Sequence, residues 1–161
     1  GNVFNLFNQI KSGKFLMIGN GKNKKSMAYI ANVVAFLEAC LDSSQRYSVF
    51  NYVDTPDLTM NELVSEVRSK LLGKAGVGWR LPYVFGIIIG YLADMVSFLI
   101  QKRLSVSYIR VKKFTSSTEF KSSKFELLSF IPPFKLKEGL DRTLNNEFIE
   151  PNPSQEIFFT E

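Results

Sequence analysis

The chain has 161 residues, the size of one ordinary domain, and its hydrophobic fraction of 45% is enough for a sizeable core. It contains no histidine and a single cysteine, Cys40, so neither an intrachain disulfide nor a cysteine-rich zinc site can form. We therefore predict no metal site and no catalytic histidine. The net charge of +5 suits anionic ligands, which include nucleic acids, phosphorylated metabolites and membrane faces, and does not choose among them.

The first quarter of the chain alternates helical and strand-like patterns. Apolar residues recur at helical spacing over 3–10, which predicts a short amphipathic helix. The apolar run 15–18 then leads into Gly19-Asn20-Gly21, a strong signal for a hairpin turn because Asn and Gly tolerate positive φ. The returning strand, or the lead into the next helix, would be 26–30, and that helix is predicted at about 32–41.

The middle of the chain predicts one strand and one helix. Residues 47–53 are rich in β-branched and aromatic side chains and predict a strand, which a turn over 54–57 would end. Thr59 and Glu62 have the spacing of a capping box, in which the hydroxyl and the carboxylate each bind a backbone amide of the other residue. The helix that begins there is predicted to break at Gly73.

The second half of the chain predicts two helices separated by a basic segment. The most apolar stretch is 81–100, in which Asp94 is the one charged residue. A basic run follows at 110–113, and 118–120 reads as a short strand. A final helix is predicted over 136–148, after Pro132-Pro133.

The stretch 81–100 permits two interpretations. Its length is close to the ~20 residues that span a bilayer, and Gly86 and Gly90 have the small-xxx-small spacing of packed membrane helices. Asp94 and Ser97 within the stretch, and the polar character of the rest of the chain, favour a helix of a soluble protein. We expect this helix to be buried in its own core or covered by a second copy of the chain.

Four motifs stand in a fixed order along the chain. They are Asn2-Val3-Phe4-Asn5-Leu6; Gly19-Asn20-Gly21 with Lys25-Ser26-Met27-Ala28-Tyr29; Phe50-Asn51-Tyr52-Val53 with Thr59 and Glu62-Leu63; and Ser122-Ser123-Lys124 with Phe130-Ile131-Pro132. In this order and spacing they resemble the C-terminal half of extended short-chain dehydrogenase/reductases, especially the UDP-sugar 4-epimerases of the NAD-dependent epimerase/dehydratase family. The chain departs from the family pattern at Lys25, where arginine is usual, and at Lys121, where aspartate is common.

The resemblance implies a fold for this chain and separate roles for the two halves of the whole protein. The fold class is α/β, the helix-rich C-terminal portion of an extended Rossmann-type epimerase with a few short strands and without the dinucleotide-binding core. Residues 1–150 would form the substrate-binding domain, and 151–161 a C-terminal tail. Because the chain starts at Gly1, we expect it to begin inside a longer cytoplasmic protein, whose N-terminal Rossmann half binds NAD and supplies a catalytic Tyr-x-x-x-Lys pair.

The residues of this chain offer neither of those catalytic elements in a suitable context. Gly13, Gly19 and Gly21 follow no strand-to-helix turn of the kind that binds a dinucleotide. Tyr108 has Lys112 four residues further on, but the pair lies in the basic segment, and we do not assign it as catalytic. We therefore predict no catalytic and no cofactor-binding residue, and expect the chain alone to be inactive.

Six candidate residues for binding a nucleotide sugar follow from the resemblance. Lys25 would contact a phosphate, and Asn2 would bind the nucleotide sugar through its amide. Leu16 and Ile18 would line the base pocket, mainly through backbone groups. A second phosphate cation is expected in the basic segment, with Arg110 and Lys113 as the candidates.

We expect the whole protein to be an isomerase of polysaccharide biosynthesis, acting on a UDP-hexose or a UDP-N-acetylhexosamine, and able to form homo-oligomers. One alternative is a membrane-peripheral protein of lipid-linked sugar metabolism that uses 81–100 as its contact. Another is a non-enzymatic binding domain. Nucleic acid is not expected as its ligand, because the Phe residues fall at core spacing and do not interleave with the basic groups.

Overall fold

The computed structural model describes residues 2–41, 47–102, 104, 106–122 and 130–151. It confirms a helix-rich α/β fold with short strands; most of the predicted tail and part of the Ser122-Ser123-Lys124 motif lie outside the described residues. The strands are β1 (Met17–Ile18), β2 (Lys24–Lys25), β3 (Leu58–Thr59) and β4 (Arg80–Leu81). The helices are α1 (Asn2–Lys11), α2 (Ile30–Leu41), α3 (Met60–Leu72), α4 (Tyr83–Ile100), α5 (Tyr108–Thr115) and α6 (Leu136–Leu144), which continues as a π-helical turn (Asn145–Ile149).

The chain divides into two compact units. Unit 1 consists mainly of residues 1–24 and 59–117, and unit 2 of residues 25–58 and 118–159. In unit 1, α1 packs against α3, and their apolar faces form its core. The buried side chains of this core are Phe7, Ile10, Met17, Met60, Leu63, Val64 and Val67.

The predicted hairpin after 15–18 is wrong, although the turn itself is present. Gly19 and Gly21 both have positive φ, at 77° and 65°, as the Asn-Gly signal indicated. The strand before the turn, β1, pairs in parallel with β4, with Met17 opposite Arg80 and Ile18 opposite Leu81. A turn signal is local, whereas the choice of strand partner depends on contacts with a distant part of the chain, so the sequence motif could not set the pairing.

The predicted capping box of α3 is confirmed. The Thr59 hydroxyl accepts a hydrogen bond from the Glu62 amide at 3.2 Å, and the Glu62 carboxylate accepts one from the Thr59 amide at 2.8 Å. At the other end, Gly73 adopts the left-handed conformation and its amide donates to the carbonyl of Ser69. Both ends of this helix are therefore determined by interactions within a few residues.

Two glycines of α4 allow close packing, Gly90 against α5 and Gly86 against Ile18 of β1. A Cβ atom at Gly90 would lie 2.8 Å from Tyr108 Cα, and one at Gly86 would lie 2.5 Å from Ile18 Cγ2. Gly86 and Gly90 are also the buried residues of α4, so the expectation that its own core covers this helix is not met by the described part of the chain. By length and composition alone, α4 is able to cross a membrane.

Gly90→Ala is expected to destabilise unit 1 by about 1–2 kcal/mol. Alanine improves helix propensity by about 1 kcal/mol, but overpacking is expected to cost about 2–3 kcal/mol here, because the methyl group meets the backbone of α5, which cannot turn aside as a side chain can. Gly86→Ala is the comparison variant: its new methyl group meets the Cγ2 atom of Ile18 at 2.5 Å and no backbone atom, so it is expected to cost less than Gly90→Ala. Urea unfolding of both variants measures the difference; a Gly90→Ala protein as stable as the wild type would contradict this packing.

In unit 2, residues 47–53 do not form the predicted strand. In the described structure the segment has no strand partner, and its aromatic side chains pack instead around Phe36 of α2. Phe36 stacks on Tyr52 at a ring-centroid distance of 5.0 Å and meets Phe50 edge-on at 5.8 Å. Phe130 closes the same cluster at 5.4 Å from Phe36. Aromatic residues are enriched on half-buried surfaces as well as in strands. Here their enrichment reflects packing around Phe36 and not pairing with another strand.

Candidate functional site

The Gly19-Asn20-Gly21 turn of unit 1 is held by two side chains from distant parts of the chain. Asn61, in the first turn of α3, donates from Nδ2 to the carbonyl of Asn20 at 2.9 Å. Arg80 of β4 donates from Nη1 to the carbonyl of Gly19 at 2.8 Å and from Nη2 to Asn61 Oδ1 at 2.9 Å. The turn is therefore rigid, and an exposed guanidinium lies directly beside it.

This turn is not a dinucleotide-binding loop. It leads into the short strand β2, whereas a dinucleotide loop leads into the N-terminus of a helix, whose amides meet the pyrophosphate. Sequence analysis missed both Asn61 and Arg80. Neither had a local signal, because each acts on a turn that is far away in the sequence.

The predicted base-pocket residues lie at β1, which uses part of its backbone for pairing. The amides of Met17 and Gly19 donate to the carbonyls of Trp79 and Leu81. Because successive peptide groups of a strand point to opposite sides, those of Ile18 point away from β4. The Leu16 side chain is half-exposed, and the Ile18 side chain packs at Gly86. A role for either residue at a base stays a prediction.

The two candidate cations of the basic segment lie on α5. Ser107 caps this helix by accepting the Arg110 amide, and α5 contacts β1, so Arg110 and Lys113 stand on a helix packed against the strand of Ile18. Both side chains are exposed. The remaining unit 1 candidate, Asn2, is the exposed first residue of α1, which packs on α3.

The Tyr108–Lys112 pair lies on one face of α5 but is engaged in ring contacts. Tyr108 stacks on Tyr91 of α4 with ring centroids 4.4 Å apart. Lys112 Nζ lies over the Tyr108 ring, 5.8 Å from its centroid. A hydrogen bond with Tyr108 raises the pKa of Tyr91. These contacts fasten α5 to α4, and we assign the pair no catalytic role.

Lys25 belongs to unit 2 and is partly buried. Its Nζ donates to Thr118 Oγ1 at 3.3 Å, and the two residues also form an isolated parallel bridge. Partial burial lowers the pKa of the Lys25 ammonium. Lys22, three residues earlier, is exposed. Lys25 is thus held in place, unlike an ordinary lysine of a solvated loop.

A buried polar network organises the rest of unit 2. The Asp54 carboxylate, 3% exposed, accepts hydrogen bonds from the Tyr29 amide at 2.7 Å, from Asn32 Nδ2 at 2.9 Å and from the Tyr52 hydroxyl at 2.5 Å. Asn32 also donates to and accepts from the backbone of Phe134, at 2.8 and 3.0 Å. Burial, and then the bond to Asp54 and its charge, raise the pKa of Tyr52, so its hydroxyl remains a donor.

A small cleft adjoins this network. Its volume is about 200 Å³, and Tyr52, Asp54, Thr55, Ser122 and Phe134 are among its lining residues. Pockets for drug-sized ligands usually have roughly 300–1,000 Å³. The cleft is too small for a nucleotide sugar, and the polar atoms of Asp54 already have partners within the protein.

Sequence comparison finds two relatives. The chain is 44% identical over 162 aligned residues to N-acetyl-alpha-D-glucosaminyl-diphospho-ditrans,octacis-undecaprenol 4-epimerase of Escherichia coli O157:H7, covering all of this chain and 49% of the relative. It is 25% identical over 145 residues to uncharacterized protein y4nL of Sinorhizobium fredii, covering 86% of this chain and 40% of that protein. The chain thus spans about half the length, or less, of the curated relatives it matches. No protein-family profile matches it.

Structural comparison agrees with the sequence match. UDP-glucuronic acid 4-epimerase from Bacillus cereus, solved in complex with NAD, superposes with a TM-score of 0.52 and 18% identity over 84% of this chain and 35% of the other. At that identity the similarity concerns the fold. Together with the 44% identity along the whole chain and the order of the four motifs, it is consistent with the resemblance that the sequence showed. The comparisons therefore confirm the resemblance to the NAD-dependent epimerase/dehydratase family and are consistent with a chain that matches the C-terminal half of its members.

Proposed function

We propose that the intact protein is an NAD-dependent 4-epimerase whose substrate is an N-acetylhexosamine joined through a diphosphate to a polyprenol. One observation carries this proposal, the 44% identity along the whole chain to a relative named for that reaction. This proposal replaces the carrier expected from the sequence: the sugar diphosphate is joined to a lipid and not to uridine. The sugar diphosphate is common to both substrates, so the phosphate-binding candidates keep their roles.

In this proposal the residues of this chain bind and position the substrate. Lys25 would bind one phosphate, and Arg110 or Lys113 the other, while the amide of Asn2 would bind the sugar. The partial burial of Lys25 and its fixed contact with Thr118 support its role, because a preorganised cation loses less entropy on binding. The Gly19–Gly21 turn does not fit a dinucleotide, so we infer that NAD, which supplies the redox chemistry when bound, is held elsewhere in the intact protein.

A lipid carrier also changes the expected surroundings of the enzyme. The protein would work at a membrane surface, because its substrate would be anchored in the membrane, and the cytoplasmic location expected from the sequence places it on the cytoplasmic side. Leu16 and Ile18 would then border the diphosphate or the first part of the prenyl chain, since no base is present. Homo-oligomers stay a prediction that the size of the intact protein in solution would test.

Turnover of two substrates tests the proposal. The intact protein, supplied with NAD, is incubated with polyprenyl-diphospho-N-acetylglucosamine or with UDP-N-acetylglucosamine, and the released sugars are separated by chromatography. We expect conversion to the galacto epimer with the lipid-linked substrate, at a kcat/KM at least about tenfold above that for the UDP-sugar, the size of effect that one apolar contact supplies. The 161-residue chain alone is expected to show no turnover.

Two results would count against the proposal. Preference for the UDP-sugar would show that the carrier is wrong and would restore the nucleotide-sugar interpretation. Absence of turnover with either substrate would show that the reaction itself is wrong and would favour a binding domain. Detergent conditions are kept the same for both substrates, so that solubility does not mimic specificity.

A further inference from the structure

One helix of unit 1 exposes a continuous apolar stripe. Val84, Ile88, Leu92, Met95 and Leu99 are 47–71% exposed, and we call them the α4 apolar face. Their spacing of four, four, three and four residues places them on one side of the helix, opposite Gly86 and Gly90. Monomeric soluble proteins rarely leave so many large apolar side chains together in water, so this face is expected to have an occupant.

The packing of α4 indicates that it lies on a membrane and does not cross one. The helix has 18 residues, about 27 Å at 1.5 Å per residue, close to the ~30 Å of a hydrocarbon core. Its glycine side, however, packs closely on the backbone of α5, which carries Arg110, Lys112 and Lys113. A spanning α4 would carry these three cations into hydrocarbon, which is costly. A helix lying in the headgroup region can bury its apolar side chains in lipid while the cations of α5 stay in water.

The distribution of charge along the chain indicates that the surface bound by the α4 apolar face is negatively charged. Residues 1–24 and 59–117, the main part of unit 1, contain thirteen Lys and Arg against three Asp and Glu, a net charge of +10. Residues 25–58 and 118–159, unit 2, contain seven against eleven, a net charge of −4. The apolar face therefore belongs to the strongly basic unit, and anionic headgroups are its electrostatic complement. A second copy docked on the same face would bring +10 against +10.

We propose that the α4 apolar face docks on an anionic lipid bilayer, with α4 in the headgroup region and cations of unit 1 facing the lipid phosphates. The five side chains enter the apolar boundary, and the basic α5, which packs on the opposite side of α4, stays in water. This docking goes beyond the proposed activity and does not depend on the identity of the substrate. If the substrate is lipid-linked, the docking keeps the enzyme at the surface where the substrate is anchored.

Vesicle co-sedimentation of the intact protein tests the docking. The probes are vesicles of phosphatidylcholine alone and of phosphatidylcholine mixed with phosphatidylglycerol. We expect binding to the anionic vesicles that weakens with added salt, and much weaker binding to the neutral ones. The variant Leu92→Asp/Leu99→Asp is expected to bind anionic vesicles at least about tenfold more weakly, because it places two carboxylates in the apolar boundary.

A matched control carries the same change on unit 2. Leu37 and Leu41 of α2 are 58% and 84% exposed. The variant Leu37→Asp/Leu41→Asp is expected to leave vesicle binding within about twofold, since the docking surface does not include α2. Thermal unfolding checks that the variants are folded, which is expected because all the changed side chains are exposed.

Three results would overturn the docking. The first is equal vesicle binding by the wild type and the α4 variant. The second is a dimer in sedimentation velocity that the α4 variant dissociates, without vesicle binding by the wild type, which would assign the face to a second copy. The third is an intact protein that binds no vesicles and is strongly destabilised by the α4 variant, which would assign the face to another part of the same protein. None of these depends on epimerase turnover, so the docking and the activity fail separately.

Discussion

Asp54→Ala is expected to destabilise unit 2 by about 3–5 kcal/mol, more than any other substitution considered for this chain. The Asp54 carboxylate is buried and accepts hydrogen bonds from Tyr29, Asn32 and Tyr52. Removing it leaves these donors without their acceptor at a largely buried site. Each such donor costs about 1–3 kcal/mol, because it has lost its hydration and gains nothing in return.

Two further substitutions show how much of the destabilisation comes from the buried network and how much from losing a carboxylate in general. Glu138→Gln removes an exposed carboxylate that pairs with Arg142 at 3.1 Å, and is expected to cost less than about 0.5 kcal/mol. Asp54→Asn keeps the shape and one acceptor oxygen, and should fall between the two. Urea unfolding measures all three, and amide exchange at Tyr29 reports the network directly. An Asp54→Ala protein within about 1 kcal/mol of the wild type would show that the network does not stabilise unit 2.

Lys25→Ala is expected to weaken binding of the sugar diphosphate by about tenfold to a hundredfold in the intact enzyme. A charge-assisted hydrogen bond to a partly buried phosphate is worth on the order of 1.5–3 kcal/mol, which corresponds to that range. Binding of NAD should change far less. Lys25→Arg should keep or improve binding, because a guanidinium can bind two phosphate oxygens at once.

The neighbouring lysine supplies the control for this prediction. Lys22 is exposed and lies just before β2, three residues from Lys25, so Lys22→Ala is expected to leave binding nearly unchanged. Titration calorimetry of the substrate (or of UDP, if the carrier is a nucleotide) into the wild-type and variant enzymes measures whether Lys25 binds a phosphate. If Lys25→Ala binds within about twofold of the wild type, a difference of only ~0.4 kcal/mol, Lys25 is not a phosphate ligand and the cations of α5 take that role.

Elements whose signals are local were predicted well from the sequence. The capping box of Thr59 and Glu62 and the end of α3 at Gly73 are confirmed, because each bond joins residues that are close neighbours in the chain. The helices at 2–11 and 30–41 were likewise found from apolar spacing, and the helix at 83–100 from its long apolar run. Helix α5 was seen as a basic segment only, since its short length gives little periodicity.

Strand pairing was beyond the reach of the same signals. Residues 47–53 had strand composition, but β-branched and aromatic side chains suit any half-buried surface, and here that surface is the ring of Phe36. The turn at Gly19–Gly21 was predicted correctly, but the strand that pairs with β1 was not. The partner of β1 is β4, which follows only after α2 and α3, and no pattern near β1 names it.

By itself, the sequence determined the resemblance to the family and the helical framework, because these depend on residue types and short spacings. The candidate phosphate ligands follow from that resemblance and stay predictions. Tertiary structure alone decided which polar groups are buried together. Asp54 was expected in a turn and Asn32 at the start of a helix, yet they form one buried network across 22 residues of chain. It also decided that Arg80 holds the Gly19–Gly21 turn and that the apolar side of α4 is left exposed. Burial and pairing depend on which segments meet in the folded chain, and short-range sequence patterns do not carry that information.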